Sequence, residues 1–160
     1  MMNDLVLKPT LGYWLTSKAF LVILIGLLFL VANLFYLNVY LKLLSGIIVL
    51  LCLSYSFYKY IEMMLFTKWI IGEEQIRIYR GIFIRSIDYI ELYRVYDYQQ
   101  RQSFIQTMIG NVTFYIYSGD KSNPILKIYG IPASLNVIQE IRNRVELQKQ
   151  KKGIYEFTNR

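Results

Sequence analysis

Ala19 to Leu37 reads AFLVILIGLLFLVANLFYL, 19 residues without a charge and with Asn33 as the only strongly polar member. A helix rising 1.5 Å per residue reaches about 28 Å over such a run, close to the ~30 Å of hydrocarbon in a bilayer. A second charge-free run follows at Leu43 to Tyr58, LLSGIIVLLCLSYSFY, and extends through Leu41 and Tyr60. Between them Asn38-Val39-Tyr40-Leu41-Lys42 is long enough only for a tight turn. The two runs predict an antiparallel transmembrane hairpin within residues 1–64, with helices over about 18–37 and 41–61. Tyr13 and Trp14 precede it, Tyr36 and Tyr40 flank its turn, and Tyr58 and Tyr60 close it, as expected of rings that favour the headgroup level. A cleaved signal peptide fits less well, because the apolar stretch is too long and no small-x-small cleavage site follows. A buried soluble hairpin fits less well too, because 160 residues offer too little protein to cover two helices apolar on every side.

Loop charge orients the hairpin. Lys8, Lys18 and the α-amino group lie before it, and Lys59, Lys68, Arg77 and Arg80 lie after it, against Lys42 alone in the turn. The positive-inside rule places both termini of this multi-pass chain in the cytoplasm. Cys52 then lies inside the bilayer as a small packing residue. Ser45, Gly46 and Ser54 offer small surfaces for close packing with neighbours.

Composition narrows the function. Hydrophobic residues make up 55% and charged residues 18%, against about 25% charged in an ordinary globular domain. A disordered or collagen-like chain is excluded. With no His and one Cys, a disulfide framework, a His- or Cys-based zinc site and a His-dependent triad are excluded as well. The acids of the C-terminal part form no D-x-D or E-x-x-H spacing, and no phosphate-binding or nucleophile-elbow motif occurs. The chain reads as no enzyme, with no cofactor and no metal.

From about Phe66 the period shortens. Phe66–Ile71, Gln75–Arg80, Ile82–Ile87, Arg94–Gln100, Asn111–Ser118 and Ile125–Tyr129 read as strands, separated by turn signals at Gly72-Glu73-Glu74, Gly81 and Gly119–Pro124. Asn111–Ser118 is the clearest: Val112, Phe114 and Ile116 share one face, Thr113, Tyr115 and Tyr117 the other. After Pro132 the period lengthens to that of a helix, with Val137, Ile138, Ile141 and Val145 on one stripe. Glu140, Arg142, Asn143, Arg144 and Glu146 fill the polar side. Six or seven short antiparallel strands and one amphipathic helix make an α+β domain over 65–148. Residues 149–160 follow as a basic tail with Lys149, Lys151 and Lys152, where Gly153 stops the helix; Ile154-Tyr155-Glu156-Phe157 alternates weakly.

The stretch from Lys68 to Val145 resembles the bacterial pleckstrin-homology-like (PH) domain of the membrane-flanked family. Gln75–Gly81 resembles its first hairpin. Ile90-Glu91-Leu92-Tyr93-Arg94-Val95 is similar to its I-x-L-x-R-I/V element. Gln102–Gly110 is similar to its Q-S-L-L-Q-R-L-L-G segment, and Asn111–Ile116 follows in register with Y-G-T-V-x-I. Leu126–Pro132 resembles the strand-to-helix join. Thr107 stands where Arg is common and Val112 where a second Gly is common. The resemblance implies a curved antiparallel β-barrel or sandwich capped by a C-terminal helix, and it implies no activity.

Two sets of residues are candidates for binding. Residues 65–160 carry 14 basic and nine acidic groups, net +5, which suits an anionic leaflet. Arg77, Arg80 and Arg85 gather around the first hairpin, where eukaryotic relatives of the resembled family hold phosphorylated lipid headgroups. Tyr79, Tyr115, Tyr117 and Tyr129 point away from the expected core and form a candidate protein interface. The expected partners are membrane lipids and a protein or a second copy of this chain. Nucleic acid is not expected, because the basic groups are interleaved with acids and no recognition module occurs.

Overall fold

The computed structural model describes residues 3–35 and 38–154. In chain order the elements are β1 (Leu5–Leu7), α1 (Leu11–Leu15), α2 (Lys18–Asn33), α3 (Val39–Ile61), a π-helical turn (Glu62–Phe66), β2 (Lys68–Ile71), β3 (Gln75–Arg80) and β4 (Ser86–Glu91). A 3-10 turn (Leu92–Arg94), β5 (Val95–Arg101), α4 (Phe104–Ile109), β6 (Asn111–Ser118), β7 (Ile125–Pro132) and α5 (Val137–Lys151) complete the chain. Tyr36 and Leu37, and the weakly alternating tail from Tyr155, lie outside the described residues.

Helices α2 and α3 form the hairpin, joined along a seam of small side chains. Ser56 Oγ donates to the Ala19 carbonyl across 2.8 Å. A Cβ on Gly26 would stand 3.1 Å from Cys52 Cβ. Asn33 Nδ2 donates to Ser45 Oγ and, at 3.2 Å, to the Lys42 carbonyl. Ala19, Gly26 and Asn33 recur every seven residues, so they keep to one stripe of α2. Ser45 therefore serves the seam rather than a neighbour, while Gly46 and Ser54 stay exposed. The outer circumference is leucine, isoleucine and phenylalanine, nearly all exposed.

The hairpin departs from expectation in length. By length and composition one described helix suffices to cross a membrane, the 28 residues of α3 and its π-helical extension, with mean hydropathy 1.9 over an 18-residue stretch. The 16 residues of α2 fall short of the ~20 usually needed. The first helix stops at Asn33 because Leu34 and Phe35 already turn the chain, and Asn38 caps the return helix by accepting from Tyr40 N at 2.8 Å.

The rest of the chain is an antiparallel α+β body of two sheets, one ordered β1-β2-β3-β4 and the other β5-β6-β7. No pairing joins them among the described residues, so the expected barrel does not close. Both contribute to one core: Trp69, Ile71, Ile76, Ile78 and Ile90 from the first, Phe114, Ile116, Ile128 and Ile131 from the second. Helix α5 covers this core with Val137, Ile141 and Val145, the stripe its sequence predicts, and Gly153 follows it at φ +65.

Four details differ from the sequence reading. Strand β1 pairs with β2, Leu5 opposite Ile71 and Leu7 opposite Trp69, so the N-terminal residues enter the first sheet. The return strand of the first hairpin starts at Ser86, not Ile82, because register places Ile90 against Ile76 in the core. Ile82-Phe83-Ile84 are left in the turn, with Phe83 87% and Ile84 88% exposed. The segment Phe104–Ile109 is a helix. Finally, Arg144 does not lie on the polar side of α5: it is 4% exposed. Its guanidinium donates to the carbonyls of Ile71 (2.8 Å), Gly72 (3.1 Å) and Asn3 (2.8 Å) and to Glu140 Oε1 (2.8 Å).

Candidate functional site

The short helix α1 bridges the hairpin and the sheets. Thr10 fixes its start by donating twice to the Gly130 carbonyl, from N at 2.9 Å and from Oγ1 at 3.0 Å. Gly130 has φ +69, and a Cβ there would stand 2.4 Å from Tyr13 Cβ. Only glycine lets α1 approach this closely. Tyr13 consequently stacks on Tyr129 with ring centroids 4.7 Å apart, and Tyr129 meets Trp69 edge-on at 4.8 Å. One residue on, Trp14 packs edge-on against Phe20 of α2 and Tyr60 of α3, each at 5.5 Å. Its Nε1 is shielded from solvent and has no hydrogen-bond acceptor among the described residues.

A recess of about 330 Å³ opens between α1, the base of the hairpin and the end of β3. Lys18, Lys59 and Arg80 line it, with Glu62, Trp14 and Tyr129. Lys59 Nζ lies 2.6 Å from Glu62 Oε2. Arg80 pairs across the strands with Asp88. Lys18 makes no ion pair among the described residues. Burial, then the neighbouring Tyr129 and Tyr115 hydroxyls, push the Tyr13 phenol up to about 12 from an ordinary 10.0. Burial also raises Tyr129, against the opposing hydrogen bond with Thr67.

The three candidate arginines do not converge. Arg77 Nη2 lies 2.5 Å from Asp4 Oδ2 and ties the N-terminal residues to β3. Arg80 turns to Asp88 and the recess just described. Arg85 lies over the Phe66 ring at 5.7 Å. Arg80 and Arg85 do border a second recess of about 340 Å³ beneath the β3–β4 turn, together with Lys68.

The four tyrosines separate as well. Tyr79 belongs to the four-stranded sheet, with Lys68 Nζ over its ring at 4.6 Å. Tyr115 and Tyr117 lie on the outer face of the three-stranded sheet. Arg101 and Lys127 stand over the Tyr115 ring at 5.2 and 5.7 Å, and Tyr117 donates to Gln99 Oε1 at 3.0 Å. Tyr129 departs from the expected outward face, because it packs against the core under Tyr13.

The sequence reading used Tyr13, Trp14, Lys18 and Lys59 only to set the level and orientation of the hairpin. What brings them together with Arg80 is β1 and Thr10, and the signal for that strand is only three apolar residues, Leu5-Val6-Leu7. Among the described residues no group of three or more His, Cys, Asp or Glu side chains is placed to hold a metal.

No curated protein and no solved structure matches the chain. Residues 10–146 match the family model described as bacterial PH domain, a span that takes in α1, the hairpin, six of the seven strands and most of α5. The chain belongs to the bacterial PH domain family.

Proposed function

We propose that this chain is a membrane-anchored, non-enzymatic binding module. Its hairpin is lodged in the bacterial inner membrane, and its PH domain and both termini stand on the cytoplasmic face. The observation that supports this most is the hairpin surface. Its small and polar side chains, Ala19, Ser45 and Ser56, are buried in the seam, while Leu28, Leu34, Phe35, Leu43, Leu50 and Leu51 face outward with nothing of the protein over them. A contiguous apolar surface of this kind is the usual mark of contact with lipid or a partner. Because α2 is short, the hairpin crosses with its apolar tip near the far leaflet, held there by Lys42.

The partner surface is the outer face of the three-stranded sheet around Tyr115 and Tyr117, rings flanked by cations at the edge of a rigid sheet. It assembles with a protein, including copies of this chain. A second reading has support in the recess shared by Arg80, Arg85 and Lys68: the domain reads anionic lipid at the membrane surface.

Washing vesicles with concentrated urea tests the anchor: the full chain stays with the membrane, and its release intact removes the reading. Chemical cross-linking in membranes tests the surface. Adducts formed by the wild type disappear in Tyr115→Ala/Tyr117→Ala, and adducts that persist in a folded double variant exclude that face.

A further inference from the structure

We infer that the recess between α1, the hairpin base and the end of β3 holds the phosphate of an anionic lipid headgroup. This rests on the membrane-anchored reading and places lipid recognition away from the tip of the first hairpin. Three cations border the recess from three elements: Lys18 opens α2, Lys59 closes α3 and Arg80 ends β3. Among the described residues one acid lines it with them, Glu62, which holds Lys59, while Arg80 pairs with Asp88. Lys18 is left with a full charge and no ion-pair partner among the described residues. Trp14, on the same wall, carries a shielded indole N–H without an acceptor. Phosphate supplies oxygens and the charge that Lys18 lacks there, beside an Arg80 already paired with Asp88.

The surroundings favour a lipid as its carrier. Exposed apolar side chains ring the same level. Phe83 stacks on Tyr58 in the last turns of α3, with ring centroids 6.3 Å apart and planes within 6°. Ile84 and Leu65 are exposed nearby, and Leu15 is exposed on α1. In water these side chains have no role, whereas at a bilayer they sit just below the headgroups. That depth sets the mouth of the recess among phosphates, with acyl chains beside the hairpin. Trp14, Tyr55 and Tyr13 supply the amphipathic rings typical of this level.

The test uses the full chain in a neutral detergent, read by native mass spectrometry. It is titrated with short-chain phosphatidylglycerol, with phosphatidylcholine of the same chains, and with glycerol phosphate. Phosphatidylglycerol is expected to bind more tightly than phosphatidylcholine, and glycerol phosphate is expected neither to bind nor to compete. Removal of each cation is expected to weaken phosphatidylglycerol about fivefold. Lys18→Glu is the main variant, since Lys18 has no ion-pair partner whose loss disturbs the fold, and Lys18→Glu/Arg80→Ala follows. Lys121→Ala, exposed in the loop between β6 and β7, is expected to leave binding unchanged. Equal binding of the two lipids, or binding indifferent to Lys18→Glu, overturns the site. Displacement by glycerol phosphate overturns the lipid source and makes it a site for soluble phosphate. Failure of the anchor itself looks different: the chain is then soluble without detergent.

Discussion

The hairpin and the PH domain are built to opposite rules within one chain. In the domain, Ile71, Ile76, Ile116, Ile128, Trp69 and Phe114 point inward and charged side chains other than Arg144 point out. In the hairpin, Ser45, Ser56 and Ala19 point inward and leucines point out. A core excludes water because water is outside it; a helix pair surrounded by hydrocarbon gains nothing from hiding leucine and holds together by close packing of small residues. The contrast breaks first under large-to-small substitution. Phe114→Ala, at a side chain 2% exposed, is expected to destabilise the domain by about 3–5 kcal/mol. Leu28→Ala, 69% exposed on the hairpin, is expected to change domain stability by less than about 0.5 kcal/mol. Thermal unfolding of both variants in one detergent checks the pair, and a comparable loss in Leu28→Ala means that the hairpin has a water-facing core after all.

Polar groups sharpen the contrast next. Arg144 and Arg142 lie two residues apart on α5, yet one is buried on three backbone carbonyls and the other pairs with Glu146 at the surface. Arg144→Ala leaves those carbonyls without donors and is expected to cost about 3 kcal/mol, within the range for breaking a buried charged network. Arg142→Ala is expected to cost less than about 1 kcal/mol. Denaturant midpoints of the two variants separate them, and equal midpoints remove the anchoring role of Arg144.

This arginine also marks how far the sequence could be read. The helical stripe Val137, Ile141, Val145 was legible because period alone sets it. Arg144 was not, since its place depends on where Ile71, Gly72 and Asn3 end in space, 73, 72 and 141 residues away. Helix α4 was legible and passed over: Ser103 and Gln106 have capping-box spacing, and both reciprocal bonds form. Ile82–Ile87 reads as a return strand because it follows the Gly81 turn, but register is decided by the partner, and Ile90 takes the core position opposite Ile76. The arginine set rests on nearness around the first hairpin and the tyrosine set on strand alternation. The junction recess joins residues from 13 to 129, which no local pattern shows.

The join between the two regions is expected to respond to alkaline pH. Unfolded tyrosine ionises near 10, while Tyr13 in the fold is held at about 12, chiefly by burial. A raised folded value means that the fold favours the protonated ring. Its contribution is complete below pH 10 and is lost as pH climbs through about 12. Stability is therefore expected to fall across that window by less than the loss in Arg144→Ala. Tyr13→Phe, which keeps the stack on Tyr129 and removes the titrating group, is expected to flatten the curve between pH 10 and 12. An unchanged slope in the variant places the alkaline transition elsewhere.

The smallest effect probes the seam itself. Ser56 is fully buried and donates to the Ala19 carbonyl, a carbonyl in the first turn of α2. In a water-soluble core a buried hydroxyl bond of this kind contributes about 1 kcal/mol. Between helices in lipid the measured average is lower, about 0.6 kcal/mol, because the separated helices also find partners for their polar groups. Ser56→Ala keeps the small volume that lets the helices approach, so packing is preserved and only the bond is lost. Steric trapping or forced unfolding of the hairpin in a bilayer is expected to read a loss near 0.6 kcal/mol, with the domain unfolding midpoint unmoved. Ser56→Leu loses the bond and overfills the seam, for which about 1–3 kcal/mol is expected. A leucine variant no worse than the alanine one means that α2 and α3 are not held by close approach, and the opposition between the two regions then rests on the outer leucines alone.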